Sequence, residues 1–390
     1  MFWPLMKDCI TEKDKNEMIE FIRSSTRFTN GEKVREFEKR WSEWLGCKRS
    51  LFVSSGSTAN LLLVAAIKEK YGLKDGDKVL VPAMTWVTNI SPVMQLGLKP
   101  IFCDVDKSNF GFDMDHLKAI KKDHPDIRLI FVTHLFGICA PIDLYEEIFP
   151  EAVFIEDVCE SHGAVYKGKK AGTLSAGSTF SFYFGHHMTT VEGGFVSTDD
   201  EDLYNLMKMK RSHGLAREAT PENYELYKKK YPDVHEQFLF ITDGFNFRNT
   251  EINAVLGLSQ LKSLNTSVQK RRENYNRFLR FIEKYDEFEI PSEEGNSSFC
   301  LPFICKSAGF KIKLEKFLND RGVETRPLCS GNLLRQPFLE AYGFDTDIQG
   351  ESNVDYLHDN GFFIGNNHMI TSEDFDCLEE MLVSVLEDNQ

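Results

Sequence analysis

The chain has 390 residues, 42% hydrophobic and 27% charged, with a formal net charge of -14 at pH 7. This composition is typical of a globular protein, and the length is sufficient for one large and one smaller core. No basic tract stands out, which argues against nucleic-acid binding. The N-terminus becomes charged within a few residues, and no apolar run approaches the ~20 residues of a membrane span. The nine cysteines form no C-x-x-C or C-x-C pair, so we expect reduced thiols in a cytoplasmic protein.

Short apolar runs separated by helical patterns occupy the first 200 residues. Seven of these runs predict strands, at 49–56, 78–83, 99–105, 127–137, 152–158, 179–184 and 194–199. The first five are rich in β-branched and aromatic residues, which is typical of strands buried on both faces. Strands that alternate with helices predict an α/β domain with a mostly parallel sheet. The last two are so close that one of them is expected to be antiparallel.

The pattern changes after residue 200. Long helical stretches at 201–214 and 250–285 are followed by a short strand at 299–306 and a final helix at 372–390. We therefore predict a large α/β domain over residues 1–255 and a smaller α+β domain over residues 256–390.

The first segment that could bind a ligand is VSSGSTANLLLVAAI, which predicts a strand, a tight turn and a helix. Gly56 permits the turn, and Ser57 and Thr58 place hydroxyl and N–H groups at the helix start, where the dipole favours an anion. The segment is neither a Walker loop nor a G-x-G-x-x-G turn. Plain N-capping by a hydroxyl is the alternative interpretation.

Three further segments place polar or aromatic groups at turns. Trp86, in VPAMTWVTN, follows a strand and could stack on a flat ligand. Asp157, in FIEDVCESHGA, ends an apolar strand, where α/β sheets bind their ligands. Asn246 and Arg248, in GFNFRNTEINAVLG, precede a helix. Each also has an ordinary structural interpretation: a core or surface tryptophan, a satisfied aspartate, and helix capping.

In this order the segments resemble the DegT/DnrJ/EryC1/StrS family of sugar aminotransferases, which use pyridoxal 5'-phosphate. The resemblance covers nearly the whole chain, beginning with FTNGEKVREFEKRWSEWLG at 28–46. It implies the aspartate-aminotransferase fold type I: a large α/β domain with a mostly parallel seven-stranded sheet and a smaller C-terminal α+β domain. It also implies a homodimer with shared active sites, and no metal.

The resemblance also assigns roles to individual positions. For the cofactor, it implies stacking of Trp86 on the ring, pairing of Asp157 with the ring nitrogen, and a position near the ring hydroxyl for Glu160, where the family has Gln. The cofactor phosphate would be contacted by Gly56, Ser57, Thr58 and Ser181, and Asn246 would reach the cofactor phosphate of the neighbouring subunit. Substrate contacts are implied for Arg248, Arg326, His213 and Arg217.

One position departs from the family pattern, which is roughly S-F-x-x-x-K-x-x-T-x-x-E-G-G. Counting forward from Ser181 and back from Glu192 leads to the same residue, His186, where the family has its lysine. No lysine occurs between Lys170 and Lys208. Imidazole cannot replace the Schiff-base lysine as a covalent tether, but it can act as a base near neutral pH.

This departure resembles the deoxysugar 3-dehydratases, which use the cofactor as pyridoxamine 5'-phosphate. Members acting on CDP-sugars carry an iron–sulfur cluster on clustered cysteines, which this chain lacks. Members without the cluster act on GDP-4-keto-6-deoxy-D-mannose in colitose, O-antigen and lipopolysaccharide biosynthesis. The resemblance thus implies a lyase with non-covalent cofactor that removes the C3 hydroxyl, with His186 as base. L-glutamate would regenerate the amine form, leaving as 2-oxoglutarate, and ammonia would be released.

Two alternatives remain open from the sequence. A pyridoxal-phosphate-dependent nucleotide-sugar 4-aminotransferase would need a lysine from elsewhere in the chain. A non-catalytic, cofactor-binding homologue would have lost its lysine by decay, but retention of Trp86, Asp157, Ser181 and Asn246 argues against general decay.

Overall fold

The structure is a computed structural model that describes residues 2–344, 348 and 351–387. Its strands are β1 (Arg49–Val53), β2 (Lys78–Pro82), β3 (Lys99–Cys103), β4 (Leu129–Thr133), β5 (Val153–Asp157), β6 (Val165–Tyr166), β7 (Lys169–Lys170), β8 (Gly177–Ser181), β9 (Gly194–Thr198), β10 (Phe288–Glu289), β11 (Cys300–Cys305), β12 (Thr325–Pro327) and β13 (Gly361–Gly365).

Fourteen helices surround these strands in the described part of the chain. They are α1 (Glu12–Ser24), α2 (Glu32–Leu45), α3 (Gly56–Lys70), α4 (Ser91–Gln95), α5 (Met114–Asp123), α6 (Ile142–Ile148), α7 (Glu201–Lys210), α8 (Pro221–Lys230), α9 (Glu251–Leu261), α10 (Leu264–Ile282), α11 (Ala308–Asn319), α12 (Pro337–Ala341), α13 (Asn353–Asn360) and α14 (Ser372–Glu387). None of them, within the residues described, is long and apolar enough to cross a membrane.

The main sheet has seven strands in the order β1-β9-β8-β5-β4-β2-β3. Strand β9 pairs antiparallel with both β1 and β8, while the other neighbours are parallel. The seven predicted strands are confirmed, as is the antiparallel pairing of the last two. Residues of β4 and β8 are buried throughout, because helices cover both faces of the sheet.

The strand directions bring the predicted ligand-binding segments together. Because β1 and β8 are both antiparallel to β9, they run parallel to each other and to β2, β4 and β5. The turns after all five strands therefore lie at one edge of the sheet, the edge where α/β proteins bind ligands.

A second, four-stranded sheet follows in the order β10-β11-β13-β12, with every pairing antiparallel. With α11, α13 and α14 it forms the C-terminal α+β part that the resemblance implies. The predicted boundary after residue 255 falls inside α9, and the division into two domains stays a prediction. The helical stretch predicted over 250–285 consists of two helices, α9 and α10, which meet near Ser263.

The first residues of the chain lie against the C-terminal part. Trp3 forms a parallel bridge with Val323, and its indole Nε1 donates to the Gly365 carbonyl at 2.8 Å. The ring is 3% exposed. A Cβ on Gly185 would lie 2.1 Å from the Met6 sulfur, so this glycine allows the N-terminal segment to reach the edge of the main sheet.

Candidate active site

A cavity of about 370 Å³ lies at the carboxyl edge of the main sheet. Eight predicted site residues line it: Gly56, Ser57, Trp86, Asp157, Glu160, Ser181, His186 and Arg326. They come from the ends of four parallel strands and the turns after them, and from β12 of the C-terminal sheet. The cavity therefore lies between the two sheets, in the size range of cofactor and small-ligand sites.

The start of α3 forms one wall of the cavity. Ser55 is the N-cap: its hydroxyl accepts the N–H of Thr58, and the Thr58 hydroxyl accepts the N–H of Ser55. The cap occupies the Thr58 side chain, which does not line the cavity, while Gly56 and Ser57 do. The helix start thus presents N–H groups and a positive dipole end to the cavity, which suits a phosphate.

Gly56 is required here by close packing. A Cβ at this position would lie 2.6 Å from the Cβ of Ser181 and 3.1 Å from the Cys159 sulfur. The Ser181 Cβ is fixed to strand β8 and cannot move aside. The absence of a side chain at Gly56 lets the helix start approach Ser181, which is 9% exposed.

Replacing Gly56 with alanine is expected to lower cofactor affinity at least about tenfold and to destabilise the fold by about 1–3 kcal/mol, because the added methyl group overpacks the helix start. Titration of the cofactor by absorbance and urea unfolding measure the two effects. Gly309→Ala is the matched control, since its Cβ would meet only the Ser307 hydroxyl at 3.6 Å. We call the start of α3 at Gly56 and Ser57, together with Ser181, the phosphate cup. A G56A chain that binds the cofactor as wild type does would contradict the role of close packing in this cup.

Asp157 ends β5 and is 4% exposed. Its Oδ2 accepts the side-chain amides of Asn60 at 2.8 Å and Asn89 at 2.9 Å, and its Oδ1 accepts the Cys159 N–H at 2.8 Å. Three donors therefore fix the carboxylate in one orientation towards the cavity. An oriented carboxylate of this kind suits a partner for a protonated ring nitrogen.

Glu160 lies one turn beyond Asp157 on the same wall. Its Oε2 accepts the Phe136 N–H at 3.1 Å. The pKa of this carboxyl is raised to about 7: burial is the largest cause, the Phe136 hydrogen bond partly offsets it, and the negative charge of Asp157 adds a smaller increase. Glu160 therefore exchanges a proton near neutral pH in the cofactor-free chain.

The raised pKa of Glu160 predicts a pH-dependent stability. The folded chain holds this proton more tightly than the unfolded chain, so the contribution is full below pH ~4.5 and is lost as the pH rises through about 7. Glu160→Gln removes the titration, and E160Q is expected to exceed wild type in free energy of unfolding by about 2 kcal/mol at pH 8 but not at pH 4.5. Urea unfolding of cofactor-free chains across this range measures the difference. The exposed Glu147 provides the control, E147Q; equal pH profiles for E160Q and wild type would rule out the titration.

The two adjacent histidines have different surroundings. His186 lines the cavity, its ring 5.5 Å from that of Phe299, and its Nδ1 has no hydrogen-bond partner among the residues described. His187 is 2% exposed, and its Nε2 lies 3.0 Å from the Ser297 carbonyl. Burial lowers the pKa of His186 to about 3, with the charge of Arg271 as a second cause. His186 is therefore neutral at pH 7 and able to accept a proton, whereas His187 packs behind it.

No lysine is found among the residues that line the cavity in the described chain. A covalent tether for an aldehyde cofactor is thus absent from the wall where His186 lies. This arrangement agrees with the sequence count that placed His186 at the family's lysine position.

Other predicted residues lie at the mouth or outside the cavity. Trp86 is 56% exposed at the mouth. Asn246, Arg248 and His213 do not line the cavity of their own chain but form a group beside it: Arg248 Nε donates to the Asn246 Oδ1 at 3.0 Å, and its Nη2 lies 3.4 Å from the His213 Nε2. Arg217 also lies apart and donates to the Gln237 carbonyl at 3.3 Å. Their predicted roles remain predictions.

Sequence reasoning missed several residues of the site. Asn60 and Asn89, which orient Asp157, were not singled out, and neither were Cys159 and Cys329, which line the cavity. One signal was present: a lone asparagine in the apolar helix GSTANLLLVAAI is buried at a cost unless it has a partner. The cysteines carry no comparable signal, since buried thiols are ordinary core residues.

The residues present fit pyridoxal phosphate or its amine form. The helix start at Gly56, with the adjacent Ser57 and Ser181, can hold the phosphate, Asp157 can hold the ring nitrogen, and Trp86 can cover a ring face. The Gly56 cradle, which a Cβ would fill, is the observation that decides the fit. Among the residues described, no group of three or more histidine, cysteine, aspartate or glutamate side chains is placed to hold a metal ion.

The fold and this cavity define a vitamin-B6-dependent enzyme of the aminotransferase fold. Residues 8–374 match the DegT/DnrJ/EryC1/StrS aminotransferase family, and the chain belongs to it. The GDP-4-keto-6-deoxy-D-mannose 3-dehydratase of Yersinia pseudotuberculosis is 36% identical over 388 residues, covering 97% of this chain and 98% of that protein.

Two solved structures are also similar to this chain. A variant of GDP-4-keto-6-deoxymannose-3-dehydratase with bound GDP-perosamine has a TM-score of 0.88 at 33% identity, covering 97% of this chain and 100% of the other. The same enzyme with a trapped adduct of pyridoxal phosphate and glutamate has a TM-score of 0.88 at 32% identity, with the same coverage.

Proposed function

We propose that this chain is a 3-dehydratase that removes the C3 hydroxyl of GDP-4-keto-6-deoxy-D-mannose. The product is the 4-keto-3,6-dideoxy sugar of colitose and O-antigen biosynthesis. The observation that carries the proposal is the histidine in the cavity at the position of the family's lysine, with no lysine among the lining residues described. We infer the nucleotide sugar and the glutamate donor from the relative that is 36% identical and from the two solved structures that are 32–33% identical.

When bound, pyridoxamine phosphate supplies the amine that condenses with the C4 ketone and the ring that takes up an electron pair. The helix start at Gly56 and Ser57 would hold the phosphate, and Trp86 would cover one face of the ring. The Asp157 carboxylate, held by Asn60 and Asn89, would keep the ring nitrogen protonated and so support the electron uptake.

His186 moves the proton. With the cofactor bound, its neutral imidazole would accept a proton from the C4' carbon and could return that proton to the departing C3 hydroxyl. Because His186 lacks a primary amine, it performs the base function of the family's lysine without forming a covalent bond. The chain would therefore hold the cofactor without a covalent bond to the protein.

The overall reaction balances with glutamate as reductant. The sugar exchanges its C3 hydroxyl for hydrogen, which is a two-electron reduction. L-glutamate is oxidised to 2-oxoglutarate, and its nitrogen leaves as ammonia. One glutamate is consumed, and one ammonia released, for each sugar deoxygenated.

One incubation tests the proposal: the chain with pyridoxal phosphate, L-glutamate and GDP-4-keto-6-deoxy-D-mannose. We expect a product lighter by one oxygen atom, with ammonia and 2-oxoglutarate in equal amounts. A 4-amino sugar without ammonia would identify an aminotransferase instead. If glutamate does not bleach the absorption of the bound cofactor, the chain is a binding protein. Borohydride reduction of the pyridoxal-phosphate form separately tests the tether, since a pyridoxyl-lysine in the cavity would contradict the non-covalent mode.

We further propose that two copies share their active sites. Asn246 and Arg248 lie outside the cavity of their own chain, on the segment between α8 and α9. Arg248 at 3.0 Å from Asn246 presents a polar, positively charged group to the surface. Such a group suits the phosphate of a ligand in an adjacent copy.

Mixed dimers of His186→Asn and Asn246→Ala chains test this sharing. Each homodimer is expected to be impaired at both sites, whereas in a shared-site heterodimer both lesions fall in one site and the other site is intact. The heterodimer is then expected to recover about half of the wild-type activity. A heterodimer no more active than the mean of the two homodimers would show that each copy completes its own site.

A further inference from the structure

Arg271, on α10, is a buried cation directly behind the histidine turn, which we define as residues 185–188. It is 4% exposed. Its Nη1 donates to the Phe299 carbonyl at 3.1 Å and to the Asn366 carbonyl, and its Nη2 donates to the His186 carbonyl at 3.4 Å. Among the residues described, all these acceptors are backbone carbonyls. Arg271 therefore ties the histidine turn to the segments before β11 and after β13.

Two neighbours on α10 make the same connection. Ser267 and Asn274 lie four residues before and three after Arg271, so all three share one helix face. Ser267 donates to the His187 carbonyl at 3.3 Å, and Asn274 donates to the Asn367 carbonyl at 3.0 Å. This face of α10 is thus a buried polar stripe between the histidine turn and the C-terminal sheet.

The charge of Arg271 calls for an explanation. Burial lowers its pKa to about 10, so the guanidinium remains charged at neutral pH. A buried charge held only by neutral carbonyls is costly compared with a neutral amide or hydroxyl, which could make similar links. Ser267 and Asn274 use neutral groups of that kind. The position nearest His186 is the one that carries a charge.

We infer that Arg271 is a positioning residue for His186. Its fork holds the His186 carbonyl against the C-terminal segments, and its charge disfavours a second positive charge on the adjacent imidazole. His186 is thereby kept in place, and the neutral form that burial already favours is favoured further. This inference rests on the proposed function, in which His186 is the base.

The electrostatic part agrees with the surroundings of His186. Burial lowers the pKa of His162, His186 and His187, and Arg271 contributes to the lowering for each. The ring centroid of His162 lies 5.9 Å from that of His186 and 5.2 Å from that of His187. Titratable or charged groups from every neighbouring segment surround His186. They are His134 after β4, Asp157, Cys159, Glu160 and His162 at the end of β5 or after it, Tyr183, His187 and Glu192 between β8 and β9, Arg326 and Cys329 in and after β12, His368 after β13, and Arg271 itself.

Two variants separate charge from geometry. Arg271→Lys keeps the charge and loses the fork, whereas Arg271→Met loses both. NMR titration of histidine Cε1 signals in the cofactor-free chain, assigned with H186N, reports the protonation of His186. The pH profile of kcat for the cofactor-loaded chain reports its action as base.

For R271K we expect kcat about tenfold lower, an unchanged KM for glutamate and an unshifted His186 titration. For R271M we expect the His186 midpoint and the acidic limb of kcat to move up by about one pH unit. Arg277→Met is the matched control: Arg277 lies on the same helix but pairs with Asp376 and Glu379, so neither readout should change.

Each outcome decides the inference. A folded R271M chain with wild-type histidine titration and wild-type pH profile overturns it. If R271M does not fold, R271K with wild-type kcat overturns it as well. The titration needs no substrate, so it still decides the effect of Arg271 on His186 if the wild-type chain proves not to be a dehydratase.

Discussion

Replacing His186 with asparagine is expected to lower kcat for sugar dehydration by about 10³-fold with little change in substrate KM, because the chain loses its proton acceptor at the C4' carbon. Asparagine fits the space and keeps polarity, but it cannot accept the proton. Formation of the dideoxy sugar and release of ammonia measure the loss. Glutamate-driven bleaching of the cofactor, which needs the same proton transfer, is expected to slow in parallel.

His187→Asn is the matched control for this experiment. His187 is buried and bonded to the Ser297 carbonyl, so its loss should lower the free energy of unfolding by about 1–3 kcal/mol. We expect kcat to change less than about tenfold, since His187 does not line the cavity. The reverse ranking, with H187N inactive and H186N active, would mean that the neighbouring histidine is the base.

Asp157→Asn is expected to have the second large effect. The Asp157 carboxylate accepts hydrogen bonds from three donors. The amide of the variant has only one acceptor oxygen, and its NH2 group would face either Asn60 and Asn89 or the ring nitrogen. We expect cofactor affinity to fall about tenfold or more and kcat to fall roughly 10²–10³-fold, because the ring nitrogen loses its anionic partner. Absorbance titration and the product assay measure the two.

Asp104→Asn provides the comparison. Asp104 follows β3 at the same edge of the sheet, is 6% exposed, and accepts the N–H groups of Val105 and Val354. Its substitution should reduce stability without altering the cofactor spectrum, because Asp104 does not line the cavity. If D104N and D157N change cofactor affinity equally, the effect of D157N is general destabilisation.

The main sheet could be predicted from the sequence because its strands are buried on both faces. Continuous apolar runs such as 129–133 carry that signal directly. The break between α9 and α10 could not be predicted in this way, because the apolar pattern continues through Ser263. The break arises where the chain changes direction and α10 packs against other elements than α9 does. Propensity and periodicity do not encode that turn.

The wall of the cavity formed by the main sheet was predictable for a similar reason. Residues at the ends of parallel strands converge once strand direction is known, which places Asp157 and Ser181 together. The supporting residues were not predictable, because Asn60 and Arg271 act through long-range contacts: Arg271 meets the His186 carbonyl across 85 positions of sequence. Such contacts depend on tertiary packing, which a single sequence does not state.

The N-terminal segment gives this site an order of assembly. Met6 lines the cavity, and nearby Trp3 is anchored to Val323 and Gly365. During synthesis Trp3 leaves the ribosome more than 350 positions before Gly365, the residue whose carbonyl anchors it. The main sheet can therefore form first, but its ligand cavity gains this part of its wall only after β13 has been made and folded. A chain interrupted before β13 would carry the phosphate cup and Asp157 in an unfinished, more open site.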